Sequence, residues 1–451
     1  MTRKERVTMY GKIIEETTDD QELTTPLNAY STLKGVHDIF PPDVFIWNKI
    51  ERTAKDLFYI FGYDEIKIPI IESTEIFTRS IGQSTDIVGK EMYTFTDKGG
   101  RSITLRPEGT ASVARCYVEN ALYRNTPPQK YYYIGPMFRY ERPQKGRLRQ
   151  FYQIGAECFA SSTPESDAEM LFMINEFFNK LQVPELRLEI NSIGCKVCRP
   201  EYNAALTMFF SQDTLCGDCK TRLVKNPLRI LDCKVDRCVE LRKGAPIISD
   251  FLCEPCKTHH EGLRELLKGR GIAFHDNPLI VRGLDYYTRT TFEVTTEHLG
   301  AQKAVAAGGR YDNLVEEFGG PATPAIGFAI GMERLAELMR LFDPYPNSPF
   351  FYFAALGEQA SAIALSLAIK LMDKNISSIC ADWQIPLKGH MKRANKLNAK
   401  YVIMIGADEI QKGKATWKQL SNAAQGEIDI NNVGEFIALS EQWLTRQVSN
   451  D

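Results

Sequence analysis

The sequence predicts an α+β core, a mostly antiparallel sheet flanked by helices, with a helical insertion and a C-terminal α/β domain. Three observations carry this. Residues from about 80 to 160 and from 280 to 335 read as strands with few helices between them, which disfavours a parallel sheet built on helical crossovers. The stretch between them, 161–277, reads as helical, with 165–181 an amphipathic candidate. Beyond a segment with three prolines, 343–349, strands (350–356, 377–382, 401–405) alternate with helices (358–374, 386–397, 432–445), as in a mainly parallel α/β layout. The expected division is a flexible extension at 1–30, a core at 31–342 with an insertion at about 185–275, and an α/β domain at 349–451.

The first 25 residues carry acids at Glu15, Glu16, Asp19, Asp20 and Glu22 and no apolar stretch, which argues against a secretory or organellar leader. No apolar run approaches the roughly 18 residues needed to span a bilayer, so a cytoplasmic protein is expected. Residues 43–61 place Ile46, Ile50, Ala54, Leu57, Phe58 and Phe61 at helical spacing, and Gly62 ends the run. The next segment, EIKIPIIE, alternates as a strand in which Pro69 demands an edge or a bulge. A chain of 451 residues, 43% apolar and 25% charged, suits a soluble protein of two to four domains. Its net charge of −2 excludes gripping a nucleic acid through overall charge, so any such contact needs local patches. Two stand out: the loop at 139–149, and KGHMKRANKLNAK at 388–400, with five cations and no acid. A third basic stretch, 220–243, lies in the insertion.

The most telling segment is YYIGPMFRYERPQKGRLRQFYQIGAECF, 132–159. Arg139, Arg142, Lys145, Arg147 and Arg149 lie between two β-rich flanks, and Pro143 and Gly146 give the join its turn. Guanidinium forks hold phosphate oxygens bidentately and stay charged, so the pattern reads as a triphosphate clamp touching a nucleic-acid end. A solvated charged hairpin is the plainer alternative. Gly82, Gly89 and Lys90 mimic a phosphate-binding loop, but the spacing is wrong and Glu91 stands where Ser or Thr is needed. Eight of the eleven cysteines fall between Cys195 and Cys256. Cys195-x2-Cys198-x17-Cys216-x2-Cys219 has the spacing of a four-thiolate zinc site, and Cys233-x4-Cys238-x14-Cys253-x2-Cys256 nearly does. A set of reduced, packed cysteines is the alternative.

FRYERPQKGRLRQFYQ resembles motif 2 of the class II aminoacyl-tRNA synthetases, in the wording of their histidyl branch. Further blocks follow in that family's order: RPEGTASVAR at 106–115, VRGLDYYTRTTFEV at 281–294, AGGRYDNLV at 307–315, and AIGFAIGMERL at 325–335, which resembles motif 3. The resemblance spans about 33–440. It implies an antiparallel class II catalytic core, motif 1 at a homodimer interface near Pro69, and a C-terminal anticodon-binding domain. The implied reaction is ATP-dependent attachment of L-histidine to tRNA(His) through histidyl-adenylate, with Mg²⁺ bridging the phosphates. Arg139 and Arg282 would then assist the α-phosphate, Arg147 and Arg334 would hold the β- and γ-phosphates, and Phe151 would stack on adenine. Glu108, Gly109, Thr110 and Gln153 would hold the amino acid's ammonium and carboxylate. Glu157 and Tyr287 would take the two imidazole nitrogens, with Tyr286 and Tyr311 lining the pocket. Arg142 and Gln144 would read the extra 5′ guanosine of tRNA(His), while Asp285 would be structural. Zinc at Cys195, Cys198, Cys216 and Cys219 would be structural, since catalysis in this family does not depend on it. The competing implication is a histidine-sensing regulatory subunit of ATP phosphoribosyltransferase. Those relatives typically lose these arginines and the C-terminal domain, and this chain has both.

Overall fold

The computed structural model describes residues 30–448 except 83, 84, 86, 145, 212, 213, 301, 302, 343–347 and 381, together with the strand pair Thr8–Met9 and Lys12–Ile13. Most of the expected N-terminal tail, Lys145 and most of the 343–349 segment therefore lie outside the described residues. The sheet that organises the core contains β1 (Asp64–Glu65), β2 (Gln129–Phe138), β3 (Gln150–Phe159), β4 (Arg187–Ser192), β5 (His275–Asp276), β6 (Thr288–Thr295), β7 (Ala304–Arg310) and β8 (Ala325–Gly331). Their order is β5-β4-β6-β7-β8-β3-β2-β1. Every internal pairing is antiparallel, and only the short edge strands β5 and β1 run parallel to their neighbours. The antiparallel expectation is met even though helix Pro164–Lys180 lies in the connection from β3 to β4, because those two strands are not neighbours in the sheet.

β2 and β3 are the hairpin read from the arginine-rich segment, in register from Gln129 opposite Phe159 to Phe138 opposite Gln150. Side chains alternate across a strand, so Phe151, Gln153, Gly155 and Glu157 share one face of β3, while Tyr152, Ile154, Ala156 and Cys158 share the other. The second set packs into the main core, beneath helices Asp43–Ile60, Pro164–Lys180 and Met332–Phe342. Phe58 stacks on Tyr132 at 4.3 Å between centroids, and Trp47 meets Tyr152 edge-on at 5.1 Å. Burying each such side chain contributes about 1.5–3 kcal/mol, and this fixes the sheet's back so that its front can carry polar groups. Under the front lies a smaller cluster of Tyr117, Tyr133, Tyr286, Tyr287 and Tyr311, against helix Thr110–Glu119. A fully buried ion pair, Arg310 to Asp167 at 2.7 Å with His259 on the other carboxylate oxygen at 2.7 Å, ties the end of β7 to two helices.

Three expectations need correction. The strand expected in EIKIPIIE is split: Asp64–Glu65 joins the main sheet, and Ile71–Ser73 joins a three-stranded sheet with Ser102–Leu105 and Tyr93–Thr96. Pro69, which lacks a backbone N–H for a ladder, sits in the break. The stretch 161–277 is not all helical, since β4 and β5 lie inside it and extend the main sheet. The insertion proper consists of helices Arg199–Phe209, Gly217–Lys225 and Asp236–Leu241 around their own small core of Tyr202, Leu206, Ile230 and Leu231. Finally, the C-terminal sheet is mixed. Ser378–Cys380, Phe351–Ala355 and Tyr401–Ile405 are parallel as expected, but an unforeseen hairpin, Lys414–Gln419 with Gln425–Asp429, adds two antiparallel strands. Helices Glu358–Met372, Leu387–Lys396 and Val433–Val448 match the expected positions.

Candidate active site

The front face of β3 forms the floor of a cleft whose lining includes Phe151 and Gln153 from that row, Glu108 and Thr110, Arg139 and Arg147, and Arg282, Tyr286, Tyr287 and Arg334. These residues come from four separate stretches of chain. Register brings them together: β8 lies beside β3 with Gly331 opposite Gln153 and Gly327 opposite Glu157. A Cβ at Gly327 would drive into the Glu157 carboxylate, so the bare backbone there is what lets Glu157 lie flat against the sheet.

At the deep end, Glu157 is fully buried. Its Oε1 accepts from the Thr110 hydroxyl at 2.7 Å and its Oε2 from the Tyr311 phenol at 2.6 Å. Burial pushes its pKa up to about 8, with Glu108 adding to the rise and the two hydroxyl donors opposing it. Glu108 is also buried, and its oxygens accept from Thr110 N at 2.7 Å and Ala111 N at 2.8 Å, closing the N-terminus of helix Thr110–Glu119. Burial raises its pKa as well, against those two backbone donors. Gln153 Oε1 is buried with no hydrogen-bond partner among the described residues, in a cleft wall where an ammonium could supply one. Tyr286 and Tyr287 pack at 4.6 Å, and Tyr286 meets Tyr311 edge-on at 5.7 Å. Glu157 and Tyr311 lie fully buried behind these groups, the first bonded to Thr110 and the second packed against Tyr286.

Tyr133, from β2, fills the space behind this pocket. A Cβ on Gly109 or on Gly155 would each fall 2.2 Å from its ring carbon Cζ, so the ring is gripped from two sides. Gly155→Ala should therefore destabilise the protein by about 1–3 kcal/mol and weaken amino-acid binding, because Tyr133 has nowhere to retreat. A urea midpoint equal to that of the parent would refute this.

At the open end the cations converge. Arg139 donates from Nε to Pro107 O at 2.9 Å and lies over the Phe151 ring at 5.2 Å. Arg334, third residue of helix Met332–Phe342, donates to Gly146 O at 3.0 Å and to Ala304 O at 2.9 Å, which ties motif 3 to the basic loop. Its pKa is lowered by burial first, then by Arg147 and Arg139, the expected result of gathering like charges in one cleft. Arg282 donates from Nη1 to Glu293 at 2.6 Å and sits over the Tyr287 ring at 5.5 Å. Three acids that sequence reasoning passed over hold this set. Glu141 lies between Arg139 at 3.9 Å and Arg147 at 3.4 Å. Glu293 anchors Arg282. Glu333 accepts from Tyr152 N at 2.9 Å, and burial raises its pKa to about 7. Glu141 could have been noticed as the lone acid in a basic loop, and Glu333 as the neighbour of Arg334.

Some expected residues lie apart from the cleft. Arg142 is exposed on the loop surface, and Gln144 lines a second hollow with His37, Asp38 and Trp47. Asp285, expected to be structural, accepts from Asn226 at 2.9 Å and fills the space over Gly82. The cysteines are grouped differently from the sequence expectation. Cys195 and Cys198 meet Cys253 and Cys256, while Cys216 and Cys219 meet Cys233 and Cys238. Chain order suggested consecutive pairs, but the insertion folds back on itself and its ends come together before its middle does.

A family model described as Histidyl-tRNA synthetase matches residues 35–196 and 253–335, and one described as Anticodon binding domain matches 351–439. The chain is 51% identical over 411 residues to the histidine–tRNA ligase of Thermodesulfovibrio yellowstonii, covering 90% of this chain and 98% of that one. It is 49% identical over 401 residues to that of Geobacter sulfurreducens, covering 88% and 97%. Among solved structures, apo S. aureus histidyl-tRNA synthetase superposes with a TM-score of 0.67 at 35% identity, covering 90% of this chain and 99% of that one.

Proposed function

The chain belongs to the histidyl-tRNA synthetase family, and from that premise we propose how its residues perform the reaction. It attaches L-histidine to tRNA(His) at the expense of ATP, which enters with Mg²⁺. One observation supports the assignment of roles above all others. Arg139, Arg147, Arg282 and Arg334, distant in sequence, line a single cleft that continues into a polar, tyrosine-walled pocket.

In the first step the histidine carboxylate attacks the α-phosphorus of ATP and pyrophosphate leaves. Negative charge builds on the α-phosphoryl oxygens, and fixed cations in a partly dry site stabilise it with little reorganisation. Arg139 and Arg282 approach that group from opposite sides. Arg147 and Arg334 hold the β- and γ-phosphates, and adenine takes the face of Phe151, from which the Arg139 guanidinium is drawn to the phosphate. Glu108, Thr110 and Gln153, beside the close-packed Gly109, receive the ammonium and carboxylate. Glu157 and Tyr287 take the imidazole nitrogens, the first as acceptor and the second as donor, with Tyr286 and Tyr311 closing the pocket. In the second step a hydroxyl of the tRNA's 3′-terminal ribose attacks the carbonyl carbon of the adenylate, the ester forms and AMP leaves.

Arg142 and Gln144 on the loop face the 5′ end of the tRNA, and the basic insertion leans on its acceptor stem. Lys388, Lys392, Arg393 and Lys396 are exposed on and beside helix Leu387–Lys396, which supports an anticodon contact there. The division into an N-terminal extension (1–30), a catalytic core (31–342) and an anticodon-binding domain (349–451) follows the same reading. A homodimer is supported by Ile70, Ile71 and Phe95, large apolar residues left exposed around the motif 1 break. The setting is the cytoplasm; no helix among the described residues is long and apolar enough to cross a membrane. Zinc in the insertion is structural and takes no part in the chemistry. The deciding experiment is ATP–pyrophosphate exchange, expected to need histidine and Mg²⁺ and to fail with other amino acids. An intact protein that binds histidine without exchange would overturn the assigned roles.

A further inference from the structure

The geometry points to two separate zinc ions in the insertion, held by nested sets of four thiolates that brace the wall of the amino-acid pocket. The inference rests on the zinc reading of the insertion and is independent of the catalytic roles. The outer set is Cys195, Cys198, Cys253 and Cys256; the inner set, lying wholly between the outer pairs in sequence, is Cys216, Cys219, Cys233 and Cys238. Within each set the sulfurs all lie within 4.8 Å of one another.

Individual separations are 3.7 Å for Cys195 to Cys198, 3.8 Å for Cys195 to Cys253 and 3.8 Å for Cys216 to Cys233. Sulfurs placed tetrahedrally about 2.3 Å from a zinc ion stand about 3.8 Å apart, whereas a disulfide needs about 2.05 Å. The observed edges therefore suit one mononuclear ion per set. Cysteines that merely filled a core would turn toward aliphatic neighbours instead of toward one another. Backbone N–H groups also aim at the sulfurs: Val197 N at Cys195 Sγ (3.4 Å), Cys253 N at Cys198 Sγ (3.2 Å) and Cys216 N at Cys238 Sγ (3.4 Å). Such donors stabilise thiolate charge and orient metal ligands.

Both sets lead to the same place. Cys198 directly precedes Arg199, whose guanidinium donates to Tyr287 O and to Ile193 O. Cys216 precedes helix Gly217–Lys225, which ends at Asn226, and Asn226 donates to Asp285 at 2.9 Å. Asp285 and Tyr287 flank Tyr286, so each ion would fix one side of the segment that walls the pocket. Arg199 and Asn226 are positioning residues in this arrangement.

The test is metal analysis of the full-length, untagged protein. Two zinc per chain with no iron are expected; one zinc would overturn this inference alone, and no zinc, or iron in its place, would overturn the zinc reading as well. The double variant Cys195→Ser/Cys198→Ser should retain one zinc and expose Cys253 and Cys256, but not the inner four, to alkylation read by mass spectrometry. Newly reactive Cys216 and Cys219 would refute the nesting. Its KM for histidine in pyrophosphate exchange should rise about tenfold with a smaller change in kcat, and an unmoved KM would refute the brace. Should that variant fail to fold, cobalt reconstitution of the unaltered protein decides the count: two cobalt ions with tetrahedral thiolate spectra support the proposal, and one overturns it.

Discussion

Arg282→Ala is expected to cut histidine-dependent pyrophosphate exchange by about 10²–10³-fold, the usual cost of removing one fixed donor from a developing oxyanion. Histidine should still bind within about threefold by equilibrium dialysis, because Tyr287, the assigned amino-acid group that Arg282 touches, stays packed against Tyr286. The anchoring explains the size of the effect. Arg282 is held at one nitrogen by Glu293 and from below by the Tyr287 ring, so its charge is already in place before ATP arrives. Its Nε is buried without a partner among the described residues. Loss of the side chain should not unfold the protein, since Glu293 keeps about a quarter of its side chain, 27%, in contact with solvent. Arg282→Lys should recover little, because a point charge cannot serve Glu293 and a phosphate oxygen together. Exchange within tenfold of the parent would remove Arg282 from the α-phosphate.

Glu141, Glu293 and Glu333 explain how four arginines can share a small cleft in the absence of phosphate. Glu141 and Glu293 pair with three of the arginines, and Glu333 fixes β3 through the Tyr152 backbone. The cost of confining like charges is visible at Arg334, where burial and the neighbouring arginines act in the same direction. A triphosphate bound there would offset the like-charge repulsion.

The β2–β3 hairpin was legible in the sequence because two β-rich apolar flanks enclose a basic loop marked by Pro143 and Gly146. Residues such as Arg139, Gln153 and Glu157 were legible as types through the ordered motifs. Their mutual geometry was not. That Glu157 lies beneath Thr110 and Tyr311, and that Glu108 closes a helix, depends on strand register and on glycines at 155 and 327. β4 was missed because RLEINS is short and lies between two strong helical patterns, and its stability comes from pairing with β6. The hairpin at 414–429 was missed for a related reason: KATWKQ alternates over only five residues, and its pairing with Tyr401–Ile405 completes the strand. Cysteine spacing marked metal-type pairs but not which pair meets which, since that is decided by how the insertion closes.

Glu157→Gln should weaken histidine activation by about 10²-fold yet make the ligand-free protein more stable at pH 8. The sign follows from the raised pKa. Relative to the ordinary value of 4.5, which applies to the unfolded chain, folding holds the proton to about pH 8. Between those values the folded protein binds more protons, so stability falls as pH rises, and above about pH 8 the whole penalty is present. A shift of this size in a fully buried group corresponds to a few kcal/mol, and Glu333, raised to about 7, acts in the same direction. Glutamine cannot ionise, so the Glu157 part of the slope should vanish. One of the two hydroxyls on the carboxylate, from Thr110 or Tyr311, must then turn to accept, costing about 1 kcal/mol that is visible at low pH. The variant should therefore be slightly weaker than the parent at pH 5 and stronger at pH 8, with urea midpoints crossing between. The activity loss comes from the same atoms: where the imidazole N–H displaces the Glu157 proton, the carboxylate left behind accepts more strongly than an amide can. Parallel midpoint curves for the two proteins across this range would mean that Glu157 does not carry the buried proton.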